Sequence, residues 1–156
     1  MFSKKRNPEI QLYQKLIIEH NRDPFNFRQM EDATNTAQGY NPVCGDHLEV
    51  FVRLNDSGII EDISFQGDSC AVATASASMM TKALKGQPTK SAFQLLDEFR
   101  QLVKGERDAD EKRLGPLISF SGTKNFPSRI KCTLLPWCTM KGAIDNNSSV
   151  NANDIE

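Results

Sequence analysis

The sequence lacks any long apolar run and any excess of one charge. No stretch approaches the roughly 20 apolar residues that cross a bilayer, and 19 basic side chains oppose 20 acidic ones, with no block of either sign. We therefore expect no membrane span and no nucleic-acid partner. The first residues, Met1 to Arg6, are followed by no apolar stretch of the signal-peptide type, and we expect a cytoplasmic protein.

Cysteine is also scarce, with 4 residues in a chain of 156. A chain of this length can bury one compact core, and in a reducing cytoplasm such a domain does not depend on structural disulfides. Metal binding or thiol chemistry is then the better explanation for the cysteines. The four thiols therefore carry most of the functional information in the sequence.

Three segments in the first two thirds of the chain have helical patterns. The first follows Asn7, a capping residue, and Pro8, which suits a first helical turn, and its apolar stripe comprises Ile10, Tyr13, Leu16, Ile17 and His20. The second, rich in Ala, Ser and Met, covers residues 70–85, so Cys70 lies in its first turn. The third covers residues 91–104 and presents one apolar face to the core.

The region between the first two helices contains a predicted hairpin. Residues 21–43 are mainly polar and interrupted by Pro and Gly, which indicates a long connection that ends at Cys44. Leu48, Val50, Val52 and Leu54 alternate with Glu49, Phe51 and Arg53, which gives the period of two of a half-buried strand. The turn sequence at 55–58 and the apolar residues Ile59, Ile63 and Phe65 then predict an antiparallel returning strand.

The last third of the chain is predicted to be helical up to a flexible end. A short helix is expected over 114–120, and a longer one begins near Pro127, although Pro136 should remove a hydrogen bond or kink it. Residues 145–156 contain little to bury and are expected to be a flexible tail. Residues 1–144 are accordingly expected to form a single domain.

The residues with metal-binding chemistry fall at the ends of these elements. Cys44 and Asp46 flank Gly45 in the loop before the first strand, where a thiolate and a carboxylate can converge on one cation. The hairpin returns to its starting point, so Cys70 at the helix start can lie beside that loop. Cys132 on the last helix can complete a tetrahedral set, for which sulfur and oxygen ligands suit zinc.

Cys44 is the expected reactive thiol of this set, because its position in a loop makes it the ligand that the metal can release most easily. The spacing alone leaves two interpretations open: metal binding, and free cysteines that are buried as small side chains. Intervals of 26 and 62 residues match no compact zinc-finger pattern. His47, next to Asp46, is a second possible ligand but suits an outward-facing strand residue better. His20 is expected to pack or end a helix, and Cys138 is expected to face away from Cys132.

The sequence resembles the U-type iron–sulfur scaffold superfamily at these residues. The resemblance rests on the motif Asn41-Pro42-Val43-Cys44-Gly45-Asp46, the hairpin, Gly67-Asp68-Ser69-Cys70 before a small-residue helix, and Arg129-Ile130-Lys131-Cys132, and it spans about residues 7–144. Within the superfamily the chain is more similar to SufU than to IscU. Lys131 stands where IscU-type scaffolds have histidine, the Leu-Pro-Pro-Val-Lys chaperone motif is missing, and residues 106–126 resemble the SufU insertion.

The resemblance implies an α+β fold, with a small antiparallel sheet covered on one face by helices. It also implies zinc bound by Cys44, Asp46, Cys70 and Cys132, and a SufS-type cysteine desulfurase as partner. In that scheme a desulfurase histidine takes over one zinc position and frees Cys44, which accepts persulfide sulfur and passes it to the iron–sulfur assembly machinery. Arg129 corresponds to a position that supports the partner interface, or it is only a solvated charge.

Two alternatives use the same residues. A scaffold would assemble a transient iron–sulfur cluster on the three cysteines and Asp46 and transfer it onward. A structural zinc domain would instead keep all of its cysteines bound and transfer no sulfur.

Overall fold

The computed structural model describes residues 8–106 and 111–155. Within them the chain forms five α-helices and a four-stranded sheet. In chain order these are α1 (Pro8–Arg22), β1 (Asn35–Asn41), β2 (Asp46–Leu54), β3 (Ile60–Asp68), α2 (Ala71–Leu84), α3 (Thr89–Val103), α4 (Glu111–Leu114), a 3₁₀ helix (Gly115–Asn125), α5 (Pro127–Ile144), β4 (Ser149–Asn151) and a short 3₁₀ helix (Ala152–Asp154).

The sheet has the strand order β3-β2-β1-β4. The first three strands are antiparallel, whereas β4 runs parallel to β1. The α+β class with helices on one face is confirmed: α5 packs across β1 and β2, and α2 packs on α5 and β3. The sheet as a whole is mixed because of β4.

The core forms between the inward face of the sheet and the helices. Leu48, Val50 and Val52 of β2 are fully buried, as their period of two predicts. The small residues of α2 are buried almost throughout, which lets this helix lie close to α5. Trp137 of α5 is fully buried, and its indole N–H donates a hydrogen bond to Ser76 of α2 at 3.2 Å.

The hairpin, the first three predicted helices and the last one are confirmed, with small changes at their ends. The short helix expected over 114–120 is instead the end of α4 followed by a 3₁₀ helix that continues to Asn125. Cys70 is the residue that caps α2, one position before its first helical residue. Pro136 lies inside α5 without ending it. Because proline has no N–H, the carbonyl of Cys132 four residues earlier cannot accept its usual helical hydrogen bond. The expected cap Asn7 lies outside the described residues, and so do residues 107–110 of the segment that resembles the SufU insertion.

Two expectations differ from the structure. Residues 35–41 of the expected polar connection form β1, which pairs with β2 over its whole length. The expected flexible tail forms β4 and a 3₁₀ helix over residues 149–154, where Ala152 is fully buried. Both segments are polar in sequence, and they are held by backbone pairing with neighbouring strands, which the side-chain pattern does not reveal.

None of the helices in the described ranges has the length and apolar character needed to cross a bilayer.

Candidate metal centre

The chain brings the four predicted ligands to one end of the sheet. Asp46 is the first residue of β2, and Cys44 precedes it by two residues in the loop from β1. Gly45 between them has φ +74°, a left-handed conformation that glycine adopts without strain, and this bend turns both side chains toward the same point. His47 of β2 pairs with Asp68 of β3, so the hairpin returns the chain to this end just before Cys70.

The ligand atoms of three of these residues lie within 4.8 Å of one another: Cys44, Asp46 and Cys132. The two sulfur atoms of Cys44 and Cys132 are 3.2 Å apart. Cys70 joins the group through Asp46, whose Oδ2 lies 3.7 Å from the Cys70 Sγ. Three thiols and one carboxylate therefore converge, as the sequence predicts, and Cys132 contributes from the second turn of α5.

Asp46 connects the loop to the start of α2. Its side chain is only 3% exposed, and its Oδ1 accepts a hydrogen bond from the backbone N–H of Cys70 at 2.7 Å. The first N–H groups of a helix have no partner within the helix, and a carboxylate stabilises that end. Asp46 therefore fixes the position of Cys70 with one oxygen and keeps the other directed at the thiols.

Each of two thiols accepts a hydrogen bond from an N–H group. The buried Cys132 Sγ accepts one from Asn41 Nδ2 at 3.3 Å. The half-buried Cys70 Sγ accepts one from the Ala73 backbone N–H at 3.5 Å, as a capping side chain does. Within residues 8–106 and 111–155 no N–H group donates to Cys44, whose side chain is exposed. The three thiols therefore differ in whether they accept a hydrogen bond from an N–H group of the described residues.

The thiols also compete for protons. The hydrogen bond with Cys132 lowers the pKa of the Cys70 thiol to about 7, although burial opposes the shift. The same hydrogen bond raises the pKa of Cys132 far above its usual range, and burial and the contact with Cys44 add to the rise. Without a cation, Cys70 therefore ionises before Cys132.

The donor set fits zinc. Around a tetrahedral zinc, two sulfur ligands lie roughly 3.8 Å apart, and a sulfur and an oxygen ligand lie roughly 3.5 Å apart. The Cys44 and Cys132 sulfurs are 3.2 Å apart, and the Asp46 Oδ2 is 3.7 Å from the Cys70 sulfur, so a small adjustment brings both pairs to these spacings. A divalent cation also offsets the repulsion among three thiolates and a buried carboxylate, because it deprotonates each thiol that it binds. Cys44, Asp46, Cys70 and Cys132 would hold the ion.

A cleft of about 440 Å³ opens beside the thiols. Cys44, Cys70 and Cys132 line one side, and Arg129 and Ile17 lie among the other lining residues. The Arg129 guanidinium sits 4.9 Å from the centre of the Phe126 ring, a cation–π contact that limits its movement. Arg129 therefore places a positive charge at the entrance to the thiol cluster.

The other singled-out residues lie elsewhere, as expected. His47 stacks on Tyr40 at 4.7 Å and its Nε2 lies 2.9 Å from Gln38 Oε1 on the outer face of the sheet. His20 Nδ1 is 2.7 Å from the Ser78 hydroxyl, so it packs against α2. Cys138 lies against Arg100, whose Nη2 is 3.8 Å from its sulfur.

Asn41 is the residue that the sequence analysis did not assign to the site. It is 3% exposed and is the last residue of β1, directly before the loop that carries Cys44. The only sequence signal was its place in the Asn41-Pro42-Val43-Cys44 motif. Its contact with Cys132 depends on how β1 packs against α5, which the motif alone does not specify.

Comparisons with known proteins identify the family. The family described as the NifU-like N terminal domain matches residues 12–133. The chain is 37% identical over 138 residues to the iron–sulfur cluster assembly scaffold protein IscU of Streptococcus pyogenes, covering 88% of this chain and 86% of the relative. It is 33% identical over 140 residues to the zinc-dependent sulfurtransferase SufU of Bacillus subtilis, covering 90% and 94%.

Solved structures have the same fold. A crystal structure from Fervidobacterium islandicum, described as a candidate iron–sulfur cluster assembly scaffold protein for the SUF system, has a TM-score of 0.79 and 30% identity. The match covers 86% of this chain and 97% of that one. An N-terminal NifU-like domain from Brucella abortus is similar in fold, with a TM-score of 0.79 at 22% identity over 89% of this chain and 94% of that one.

Proposed function

The chain belongs to the family of NifU-like N-terminal domains and is of the IscU/SufU type, and from this premise we propose that it is a zinc-dependent sulfur acceptor. It takes persulfide sulfur from a SufS-type cysteine desulfurase in the cytoplasm and delivers it to iron–sulfur cluster assembly. The acceptor is Cys44. The metal ligands are Cys44, Asp46, Cys70 and Cys132.

The unequal environment of the three thiols carries this proposal. Cys132 is buried and Cys70 is half-buried, and each accepts an N–H hydrogen bond, whereas Cys44 is exposed at the end of a loop. A hydrogen bond to a thiolate withdraws electron density from the sulfur and makes it a weaker nucleophile. Cys44 is therefore the most accessible of the three, and no N–H hydrogen bond within the described residues weakens its thiolate as a nucleophile.

The reaction at Cys44 is an exchange between two sulfur atoms. The Cys44 thiolate attacks the terminal sulfur of the desulfurase persulfide, a new S–S bond forms on Cys44, and the S–S bond in the desulfurase breaks. The electron pair of the broken bond leaves on the desulfurase cysteine as a thiolate. No outside oxidant is needed, because one persulfide is exchanged for another.

Zinc, when bound, supplies charge that keeps the thiols ionised at neutral pH. The chain's own residues determine which thiol can leave the group. Asp46 holds the Cys70 backbone through its 2.7 Å hydrogen bond, and Asn41 holds the Cys132 sulfur. In the described part of the chain, the Cys44 thiol accepts no N–H hydrogen bond and contacts only the Cys132 sulfur at 3.2 Å, so Cys44 can turn outward toward a partner.

The cleft entrance suits a partner that brings an anionic group. Arg129 lies at the rim, and a persulfide carries negative charge on its terminal sulfur. Val43, directly before Cys44, is 84% exposed and extends the apolar part of the surface around the reactive loop. We assign Arg129 to the desulfurase interface on these grounds.

A scaffold function is the second candidate, and the similarity to the IscU of Streptococcus pyogenes favours it. Three thiolates and one carboxylate are also a suitable ligand set for an iron–sulfur cluster as cargo. The sequence features that favour sulfur transfer are Lys131 before the third cysteine and the long segment between Cys70 and Cys132.

Metal analysis followed by desulfurase turnover tests the proposal. The purified chain is expected to contain one zinc, and a SufS-type desulfurase should release sulfide from cysteine many times faster in its presence. Iron with a visible cluster, transferable to an apo-protein after anaerobic reconstitution, together with little stimulation, would support the scaffold instead. One zinc without stimulation, and with Cys44 protected from alkylation when the desulfurase is present, would support a structural zinc domain.

A further inference from the structure

The two end residues of β1 make matching contacts with α5. Asn35 begins the strand, and its Nδ2 donates to the carbonyl of Ala143 at 3.0 Å. Asn41 ends the strand, and its Nδ2 donates to the Sγ of Cys132 at 3.3 Å. Both asparagines thus tie β1 to α5, but only Asn41 uses a thiol as its acceptor.

We propose that Asn41 is a positioning residue that retains Cys132 in the ligand set and so leaves Cys44 as the thiol that is released. This inference rests on the proposed function, because it explains how one of three chemically identical ligands is selected. It does not involve contact between Asn41 and the transferred sulfur.

The location of Asn41 suits this role. It pairs with Asp46 across β1 and β2, and it is separated from Cys44 by only two residues. One side chain therefore links the base of the reactive loop to the buried ligand on α5. When Cys44 swings outward, the loop moves about a residue that stays fixed to Cys132 by its amide.

The chemistry of an amide donor is also suitable. A carboxamide N–H donates to sulfur without adding charge, so it stabilises the thiolate without competing with a cation for it. Asn41 is 3% exposed, and water is therefore largely excluded from this contact. Loss of the donor would make the Cys132 sulfur more electron-rich. Its electron density would then be closer to that of the Cys44 sulfur.

Cobalt(II) absorption provides a direct measurement of this effect. Co²⁺ takes tetrahedral sulfur sites like those of zinc, and its sulfur-to-metal charge-transfer band reports electron density on the ligating thiolates. We would load the full chain with Co²⁺ alone and compare the wild type with Asn41→Ala and Asn41→Val. Valine suits a strand and is close to asparagine in volume, so this variant keeps the packing while removing the donor.

The matched controls are Asn35→Ala and Asn35→Val, which remove the corresponding tie at the other end of β1. We expect the charge-transfer band to move to longer wavelength in both Asn41 variants and to stay at the wild-type position in both Asn35 variants. A purely structural role for Asn41 would lower stability in all four variants without this spectral shift.

Two results would overturn the inference. The first is a wild-type band in Asn41→Val, and the second is an equal shift in Asn35→Val. Neither result depends on a desulfurase. If the Asn41 variants shift the band but the wild type gives no desulfurase stimulation, the proposed function fails while the role of Asn41 in holding Cys132 remains.

Discussion

The Oδ1 of Asp46 accepts a hydrogen bond from the backbone N–H of Cys70 at 2.7 Å, although the two residues are 24 positions apart. This contact joins the first residue of β2 to the cap of α2. The other carboxylate oxygen of Asp46 is directed at the sulfur of Cys70. One buried side chain therefore sets the helix start and completes the donor group.

Replacement of Asp46 by alanine should weaken zinc binding. The change removes a candidate ligand and leaves the Cys70 N–H without its buried acceptor, so we expect zinc affinity to fall about tenfold or more and stability to fall by roughly 1–3 kcal/mol. Competition with a chelator and chemical unfolding measure the two effects. Asp68→Ala is the control, because Asp68 is exposed nearby, and it should change neither quantity. Equal losses in both variants would contradict the role of Asp46.

Gly67 should tolerate no side chain. Its φ is +140°, and a Cβ there would lie 2.6 Å from the Leu48 Cα and would also meet the backbone carbonyl of His47. Gly67→Ala is expected to destabilise the chain by about 3 kcal/mol or more. Gly86 also has a positive φ but has open space around it, so Gly86→Ala should cost about 1–2 kcal/mol. Chemical unfolding of both variants checks the difference, and equal costs would argue against the close approach of β3 and β2.

His20 should make the fold sensitive to mild acid. Burial lowers the pKa of His20 below its usual value of 6.5, and nearby Lys82 adds to the shift. At acidic pH the unfolded chain therefore takes up a proton that the folded chain resists, so this contribution to stability is present above pH 6.5 and is lost as the pH falls below it. NMR titration should find His20 with a depressed pKa.

The difference in unfolding free energy between wild type and His20→Asn isolates this effect from other titrating groups. Asparagine keeps a polar group near the Ser78 hydroxyl but carries no titrating proton in this range. The wild type should lose more stability than the variant between about pH 7.5 and about pH 5.5. Parallel curves for the two proteins would show that His20 contributes nothing to the pH dependence.

Arg129 should matter for encounter with the desulfurase and not for the fold. Arg129→Ala removes the positive charge at the cleft entrance, so we expect a several-fold higher concentration of the chain for half-maximal desulfurase stimulation, with a smaller change at saturation. Lys141→Ala removes an exposed charge from the same helix outside the cleft lining and is the matched control. Steady-state turnover over a range of chain concentrations separates these outcomes, and identical curves for both variants would exclude a specific role for Arg129.

Periodicity predicted the elements that bury a continuous apolar face. Residues 48–54 have a period of two that only the apolar, buried Phe51 interrupts, and α3 carries its apolar residues on one side, so their positions follow from local sequence. β1 has the sequence Asn-Thr-Ala-Gln-Gly-Tyr-Asn, in which only Thr36 and Tyr40 are of types that favour strands. It is a strand because β2 and β4 satisfy its backbone and because Gly39 lets Thr139 and Leu135 of α5 approach closely.

The sequence predicts that Cys44 and Cys70 lie close together because it predicts the hairpin between them. A hairpin must return the chain to its start, which places Cys70 beside the Cys44 loop. Cys132 follows from residue type and family resemblance only, since its position depends on how α5 crosses the sheet. The Asn41 contact depends on the same packing, and no local pattern in the sequence indicates it.

Locating the transferred sulfur tests the central claim most directly. The zinc-loaded chain would be incubated with a SufS-type desulfurase and cysteine, and peptide mass spectrometry would identify the cysteine that carries the persulfide. We predict modification of Cys44 in the wild type and in Cys138→Ser, and its loss in Cys44→Ser. Persulfide on Cys70, Cys132 or Cys138 with Cys44 unmodified in the wild type would contradict the account.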